Sequence, residues 1–331
     1  MTVSVIIPTY GRPSVRLAIT SALNQTEVDV EVVVVDSSGS GAAQKYAPTD
    51  VLYIESDTPQ SPGMARELGC RAASGEWVAF LDDDDLCTPD RLRSEVAAAS
   101  CTSLAASLVT SDYLSAPYES IMAWGYERTI VLAQDWRTGF DRSLKRRPGI
   151  GPKPDQELAE YLLRRRSIRR RTGLHTSTLL VERSFAITVP WNSAMRRGED
   201  WDWFIRAERL GANWLHLREP LTVVGSGSPG SLSTTRRTAS RSLDIAWAIP
   251  TLYPSKRREL GDVLIGDIAV TFLKEGRLDD GFAAWKTGCL LGRAGPQAQT
   301  RFAMSLGASA VRSTVQRIAG RRCADIGANA S

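Results

Sequence analysis

Four consecutive aspartates, Asp82 to Asp85, follow directly on the apolar segment Trp77-Val78-Ala79-Phe80-Leu81. Carboxylates this close together at the end of a buried strand repel one another and lose hydration, so they demand positive charge. A divalent metal meets that demand with one ion. In an extended chain alternate side chains share a face. Asp82 and Asp84 therefore form an Asp-x-Asp pair able to address a hard cation, Mn²⁺ or Mg²⁺, through oxygen. The plainer readings are a solvated acidic loop or a Ca²⁺ site, and the position of the run after an apolar strand favours metal over the loop. A second acidic group, Glu199-Asp200-Trp201-Asp202, opens a helix-patterned segment after Gly198. Acids in a first helical turn are favoured by the helix dipole by roughly 0.3–1 kcal/mol each, so on spacing alone structural and functional roles weigh evenly. A third acid, Asp36, ends the β-branched run Glu31–Val35. An acid there meets a ribose or base in many parallel sheets, or else caps a turn.

The elements that must position these groups alternate. Val3–Ile7, Glu31–Val35, Val51–Ile54 and Trp77–Leu81 read as strands, and Thr178–Val181 as a further one. Ser14–Asn24, Pro62–Ala73, Pro89–Ser100 (Thr88 as N-cap, Pro89 at N1), Asp155–Ile168 and Glu199–Leu210 read as helices. Such alternation predicts an α/β fold with a mostly parallel sheet covered on both faces. Ligands on these sheets bind outside the carboxyl ends of the strands. Pro8-Thr9-Tyr10, Asp36 and Asp82–Asp85 all occupy that edge. From about residue 240 the pattern is helical. Leu260, Val263, Leu264, Ile268 and Phe272 form one stripe, and Phe282, Trp285, Leu290 and Leu291 begin another. Gly276–Asp280 links them as a helical hairpin, and a further amphipathic stretch spans 300–318.

Composition bounds the function. The 331 residues carry a net charge of +4 that is unevenly spread. Residues 1–130 hold 8 Lys and Arg against 18 Asp and Glu; residues 131–331 hold 33 against 19. An acidic half suited to metal thus precedes a basic half suited to phosphate or an anionic surface. Its arginine clusters, Lys145–Arg147, Arg164–Arg166 and Arg169–Arg171, read first as solvated faces. Five scattered cysteines without a Cys-x-x-Cys pair fit a reducing cytoplasm. Two histidines, His175 and His216, argue against a His-rich zinc site and a Ser-His-Asp hydrolase. No leader-like N-terminus and no bilayer-length apolar run are present. No nucleic-acid-binding module is recognisable, and no Gly-x-Gly-x-x-Gly follows the first strand.

The strand ending in Pro8-Thr9-Tyr10, Asp36 after the second strand, Gly63-x-x-Arg66, Gly75-Glu76-Trp77 through Asp85-x-x-x-Pro89, and Glu199-Asp200-Trp201-Asp202 together resemble the family 2 glycosyltransferases of the GT-A fold. The resemblance covers roughly residues 1–225. It implies a GT-A-like α/β domain over 1–235, with a nucleotide-binding half to about 115 and an acceptor half from 116. A helical region follows over 236–320, and a disordered tail over 321–331. It implies that Pro8, Thr9, Tyr10, Arg12, Asp36, Arg66 and Asp83 line the nucleotide-sugar pocket. Asp82 and Asp84 then hold Mn²⁺ or Mg²⁺, with Asp84 the more direct ligand. Asp200 becomes the catalytic base, and Glu199, Trp201 and Asp202 border the acceptor.

The sequence departs from the family pattern at three places. Gly11 stands in place of Asn, Ser37-Ser38-Gly39 in place of Asp-Gly-Ser, and Glu67 in place of Asn. The expected reaction is inverting, metal-dependent transfer of a sugar from a nucleotide-diphosphate donor to a hydroxyl. The acceptor is a glycan, lipid-linked or small-molecule one in polysaccharide, glycolipid or envelope synthesis. The expected location is cytoplasmic, with peripheral association on the inner face of the membrane as an alternative; diphosphate, a polyanionic acceptor and anionic lipid stay open as ligands of the arginine clusters. A nucleotidyltransferase on a related fold and a non-catalytic nucleotide-sugar-binding protein are the alternatives. Residues 134–175 and the Gly225–Ser233 loop are expected to shape the acceptor side, the latter by closing over donor.

Overall fold

A computed structural model describes residues 1–100, 108–136, 143–147, 175–193, 199–229, 264–274, 276–291 and 295–308. The described residues belong to two compact units, one within 1–229 and the other within 264–308. The expected helix over 155–168, the arginine clusters at 164–171, the boundary at 235/236, Gly230–Ser233 and the 321–331 tail lie outside the described residues.

The first unit is built on one sheet. Its parallel half has the order β3-β2-β1-β4, with β1 Thr2–Thr9, β2 Asp29–Asp36, β3 Leu52–Glu55 and β4 Trp77–Phe80. Val3, Val5, Ile6 and Ile7 of β1 and Val32–Val35 of β2 are buried. That near-continuous apolar run is the mark of strands covered on both faces. The covering helices are α1 Val15–Leu23 and α2 Pro62–Ala72. Ser61 starts α2 by accepting the Met64 N–H, ahead of Pro62 at the first turn. All four strands end at the edge where Thr9, Asp36 and the aspartates lie.

The other half of the sheet is mixed. β4 pairs antiparallel with β8 (Leu180–Glu182), and β8 antiparallel with β6 (Leu108–Pro117). β6 runs parallel to β9 (Trp214–Ser226), which pairs antiparallel with β5 (Leu86–Cys87). β7 (Lys145–Arg147) joins β6. α3 (Arg91–Ser100), α4 (Tyr118–Gln134), α5 (Arg183–Thr188) and α6 (Glu199–Arg209) complete the unit.

Two of the boundaries that differ from the sequence reading have clear physical causes. α3 begins at Arg91 because Thr88 does not cap it: the Thr88 N–H and hydroxyl both donate to the Leu221 carbonyl and tie β5 to β9. β8 begins at Leu180 because Thr176–Thr178 winds into a 3₁₀ turn capped by His175.

In the second unit a π-helical turn, Leu264–Ala269, runs into α7 (Val270–Lys274). The chain reverses at Gly276 into α8 (Leu278–Leu291), and Phe302 stacks on Trp285 at 5.7 Å. Among the described residues no helix is long and apolar enough to cross a membrane.

Candidate active site

The acidic run lies between the ends of β4 and β5, and each of its carboxylates has a partner within the chain. The Asp82 Oδ1 accepts from the Arg66 Nη2 at 2.7 Å. The Asp83 Oδ2 accepts from the Thr9 hydroxyl at 2.7 Å, and its Oδ1 lies 3.0 Å from the Arg12 Nη1. That same Nη1 donates to the Asp84 Oδ2 at 2.9 Å, an oxygen that also accepts from the Ser228 hydroxyl. Asp85, fully buried, accepts from the Ser177 hydroxyl and, at 2.9 Å, from the Gly225 N–H. Gly225 is required there, because a Cβ would sit 2.4 Å from the Asp84 carbonyl oxygen.

These partners set the proton affinities. Burial drives Asp82 upward, but the Arg66 guanidinium beside it holds the carboxyl below its ordinary value. Burial pushes Asp83 up to about 7 against the pull of Arg12. Burial raises Asp84 and Asp85 as well, helped by the charge of neighbouring aspartates. The electrostatic conflict visible in the sequence is real, and two guanidiniums meet part of it.

Arg66 does more than bind one aspartate. It is 4% exposed, and its Nη1 donates to the Glu199 Oε1 at 3.0 Å, so one guanidinium joins the acidic run to the first residue of α6. It also sits 5.0 Å from the Trp191 ring, which stacks on Trp203 of α6. Glu67 fixes the Trp191 backbone by accepting its N–H at 3.1 Å. That is the physical use of its departure from Asn. Asp200, half-buried, follows Glu199 in the first turn of α6. Asp202 pairs with Arg206, whose Nη1 reaches the Pro190 carbonyl, and so braces the helix. The side chain of Trp201 lies outside the described residues.

At the other strand ends, Pro8 and Thr9 are buried and Tyr10 is 52% exposed. Asp36 is buried, and its carboxylate accepts from Ser38 N–H, Ala43 N–H and the Tyr53 hydroxyl. Burial opposes ionisation, but these hydrogen bonds hold it below its ordinary value. Asp36 thereby folds the Ser37–Ala43 loop. Gly11 adopts φ +86°, and a Cβ on it would lie 2.4 Å from the Ala42 Cβ. Glycine at that position lets the loop close against β1, where an asparagine would collide.

Two residues escaped the sequence reading. The Ser177 hydroxyl serves both ends of the run, donating to Asp85 and accepting the Asp82 N–H at 3.0 Å. His175 Nδ1 lies 3.6 Å from the Asp85 Oδ2. Asp82, Asp85 and His175 offer one ligand atom each, all within 4.8 Å of one another. The signal was thin, since 90 residues separate His175 from Asp85 and no motif links them.

Residues 4–114 match the family described as Glycosyl transferase family 2. The amylovoran biosynthesis glycosyltransferase AmsB of Erwinia amylovora is 25% identical over 227 residues, covering 66% of this chain and 67% of AmsB. The succinoglycan biosynthesis protein ExoO of Rhizobium meliloti is 46% identical over 80 residues, 23% of each chain. The chain thus spans two thirds of one of these relatives and about a quarter of the other. Among solved structures, S. aureus TarS 1–349 in complex with UDP-GlcNAc superposes with a TM-score of 0.60 at 15% identity. That match covers 96% of this chain and 92% of TarS 1–349. The first unit thus has the GT-A fold, and residues 4–114 are similar to the family 2 glycosyltransferases.

Proposed function

We propose that the protein moves a sugar from a nucleotide-diphosphate donor to an acceptor hydroxyl, with inversion at the anomeric carbon, in the synthesis of an envelope or extracellular glycan. The observation that carries this reading is the Arg66 bridge, which joins the carboxylate run to the Glu199–Asp200 turn in one site. The names of AmsB and ExoO, both biosynthetic proteins for glycans, support the product class. The UDP-GlcNAc complex of TarS makes a uridine donor the first to test.

Oxygen donors on Asp82 and Asp85 with the imidazole of His175 suit a divalent cation such as Mn²⁺ or Mg²⁺. Asp82 and Asp84, with Asp85 and His175 beside them, would hold it. When bound, such a cation offsets the charge that gathers on the departing diphosphate. Pro8, Thr9, Tyr10 and Arg12 border the nucleotide, and Asp36 contributes through the loop it folds. Asp83, carried between Thr9 and Arg12, faces ribose or sugar. Asp200 takes the proton of the acceptor hydroxyl as that oxygen attacks from the face opposite the leaving group. One displacement inverts the configuration. Glu199 and Asp202 serve the acceptor side by fixing α6 through Arg66 and Arg206.

The test incubates the protein with a panel of nucleotide sugars, Mn²⁺ and candidate glycan acceptors, and measures nucleoside diphosphate release and the anomeric configuration of the product. Transfer with inversion is expected. Retained configuration, or release of pyrophosphate from nucleoside triphosphates instead, overturns the reading.

A further inference from the structure

We propose that Arg12 makes cation binding and nucleotide binding interdependent. In the free protein it bridges Asp83 and Asp84; when a divalent cation takes up Asp84, its guanidinium passes to the donor diphosphate. This rests on the donor reading above.

The positive groups around the run are not equivalent. Arg66 is closed in, forked between Asp82 and Glu199 and set against Trp191. It cannot leave without stranding the buried Glu199 carboxylate and the half-buried Asp82. Asp85 is satisfied chiefly by neutral donors, the Ser177 hydroxyl and the Gly225 N–H. Arg12 differs on three counts. Its side chain is 24% exposed, so a path to ligand is open. A single atom, Nη1, spans both carboxylates at 3.0 and 2.9 Å, leaving the rest of the planar fork for another anion. It follows Gly11, the glycine in left-handed backbone that ends the β1 turn.

Charge then couples the two ligands. A divalent cation alone would bring two positive charges beside Arg12 and Arg66. A diphosphate alone would bring negative charge beside four carboxylates. Together they nearly balance, provided a guanidinium is free to leave the carboxylates and meet the phosphate, to which its geometry is matched. Ser228, the other donor on the Asp84 Oδ2, lies on the chain after β9 and stays as a neutral partner when Arg12 departs.

The experiment measures the Mn²⁺ dissociation constant by electron paramagnetic resonance, with and without saturating UDP, and repeats it with GDP. The native ratio is the coupling factor, expected within about 5–150-fold. Arg12→Gln should tighten Mn²⁺ binding without nucleotide, weaken UDP binding with Mn²⁺, and lower the ratio severalfold, leaving the direct attraction of cation and diphosphate. Arg12→Lys keeps the charge but not the fork, and should retain part of the coupling. Circular dichroism and thermal melting establish that both variants fold. A native-sized ratio in Arg12→Gln overturns the inference, as does a parallel fall in both affinities. Failure of the native protein to bind any nucleoside diphosphate with Mn²⁺ overturns the donor reading as well.

Discussion

Glu199 and Asp200 are adjacent carboxylates in one helical turn, and the structure separates their roles. Burial and the neighbouring Asp200 charge push Glu199 upward, and Arg66 restrains that rise. Glu199 is thus half of a buried ion pair, whereas Asp200 is half-buried at the open end of the turn. Their substitutions should diverge. Asp200→Asn removes the proton acceptor and should lower kcat by about 10²–10⁴-fold with little change in donor KM or thermal stability. Glu199→Gln removes the charge of one of the two carboxylate partners of Arg66 while Asp82 remains, and should destabilise the fold by about 1–3 kcal/mol. Steady-state kinetics and urea unfolding of the two variants decide the matter. Equal kcat for Asp200→Asn and native protein would end the assignment of Asp200 as base. A similar logic applies to Ser177, whose hydroxyl holds Asp85. Ser177→Ala should cost about 1–3 kcal/mol, because the Asp85 carboxylate then lacks a donor in a buried place.

The strands that deliver these residues are held by a second buried pair, on α3. Arg91, fully buried, donates to the carbonyls of Phe80 at 3.2 Å and Leu179 at 3.3 Å, and pairs with Glu95 at 3.3 Å. It thereby fixes the end of β4 and the entry to β8, the two backbones that carry Asp82 and Ser177. Burial pushes Glu95 up to about 7, with Arg91 limiting the rise. The folded value lies above the unfolded one near 4.5, so folding binds a proton here. The associated stability is complete below about pH 4.5 and is lost as pH rises through about 7. Glutamine mimics the protonated form. Glu95→Gln should therefore gain on the native protein between pH 5 and 8 by up to the order of 3 kcal/mol. A gap independent of pH across chemical-denaturation curves would count against it.

The parallel half of the sheet was legible because β1 and β2 carry near-continuous apolar runs, Val3–Ile7 followed by Pro8 and Val32–Val35 followed by Asp36. The mixed half was not. β6 buries Thr110 and Asp112, whose partners, His216 at 2.9 and 3.0 Å and Arg146 at 2.6 Å, come from strands far along the chain, and Ser111, which donates to Glu95 of α3 at 3.2 Å. Periodicity reads such positions as exposed, since only tertiary pairing makes them inward-facing. The same cause hid Ser177 from the site, whereas the Asp82–Asp85 run could be read directly because all its members are sequence neighbours.

At the scale of the molecule, the family match ends at residue 114 while the site does not. Ser177, Glu199, Gly225 and Ser228 complete the carboxylate run from beyond that point. Between them they belong to the turn before β8, to α6, and to the end of β9 and the chain just after it, so the site exists only when both halves of the sheet are joined. Ligand binding should then stabilise the first unit as a whole instead of one loop. A ligand that binds only the folded form adds RT ln(1 + [L]/Kd), about 2.7 kcal/mol at a hundredfold excess over Kd. For a unit of roughly 200 residues this corresponds to roughly 5–10 °C in the unfolding midpoint. UDP or GDP together with Mn²⁺ should produce that shift in a single transition, and a chelator should abolish it. Asp82→Asn should reduce the shift, since the Arg66 bridge and the carboxylate run share that residue. Calorimetry showing the shift unchanged by chelator would mean that nucleotide binds without the carboxylates, and a chain ending at residue 114 that still bound it would separate the site from the second half of the sheet.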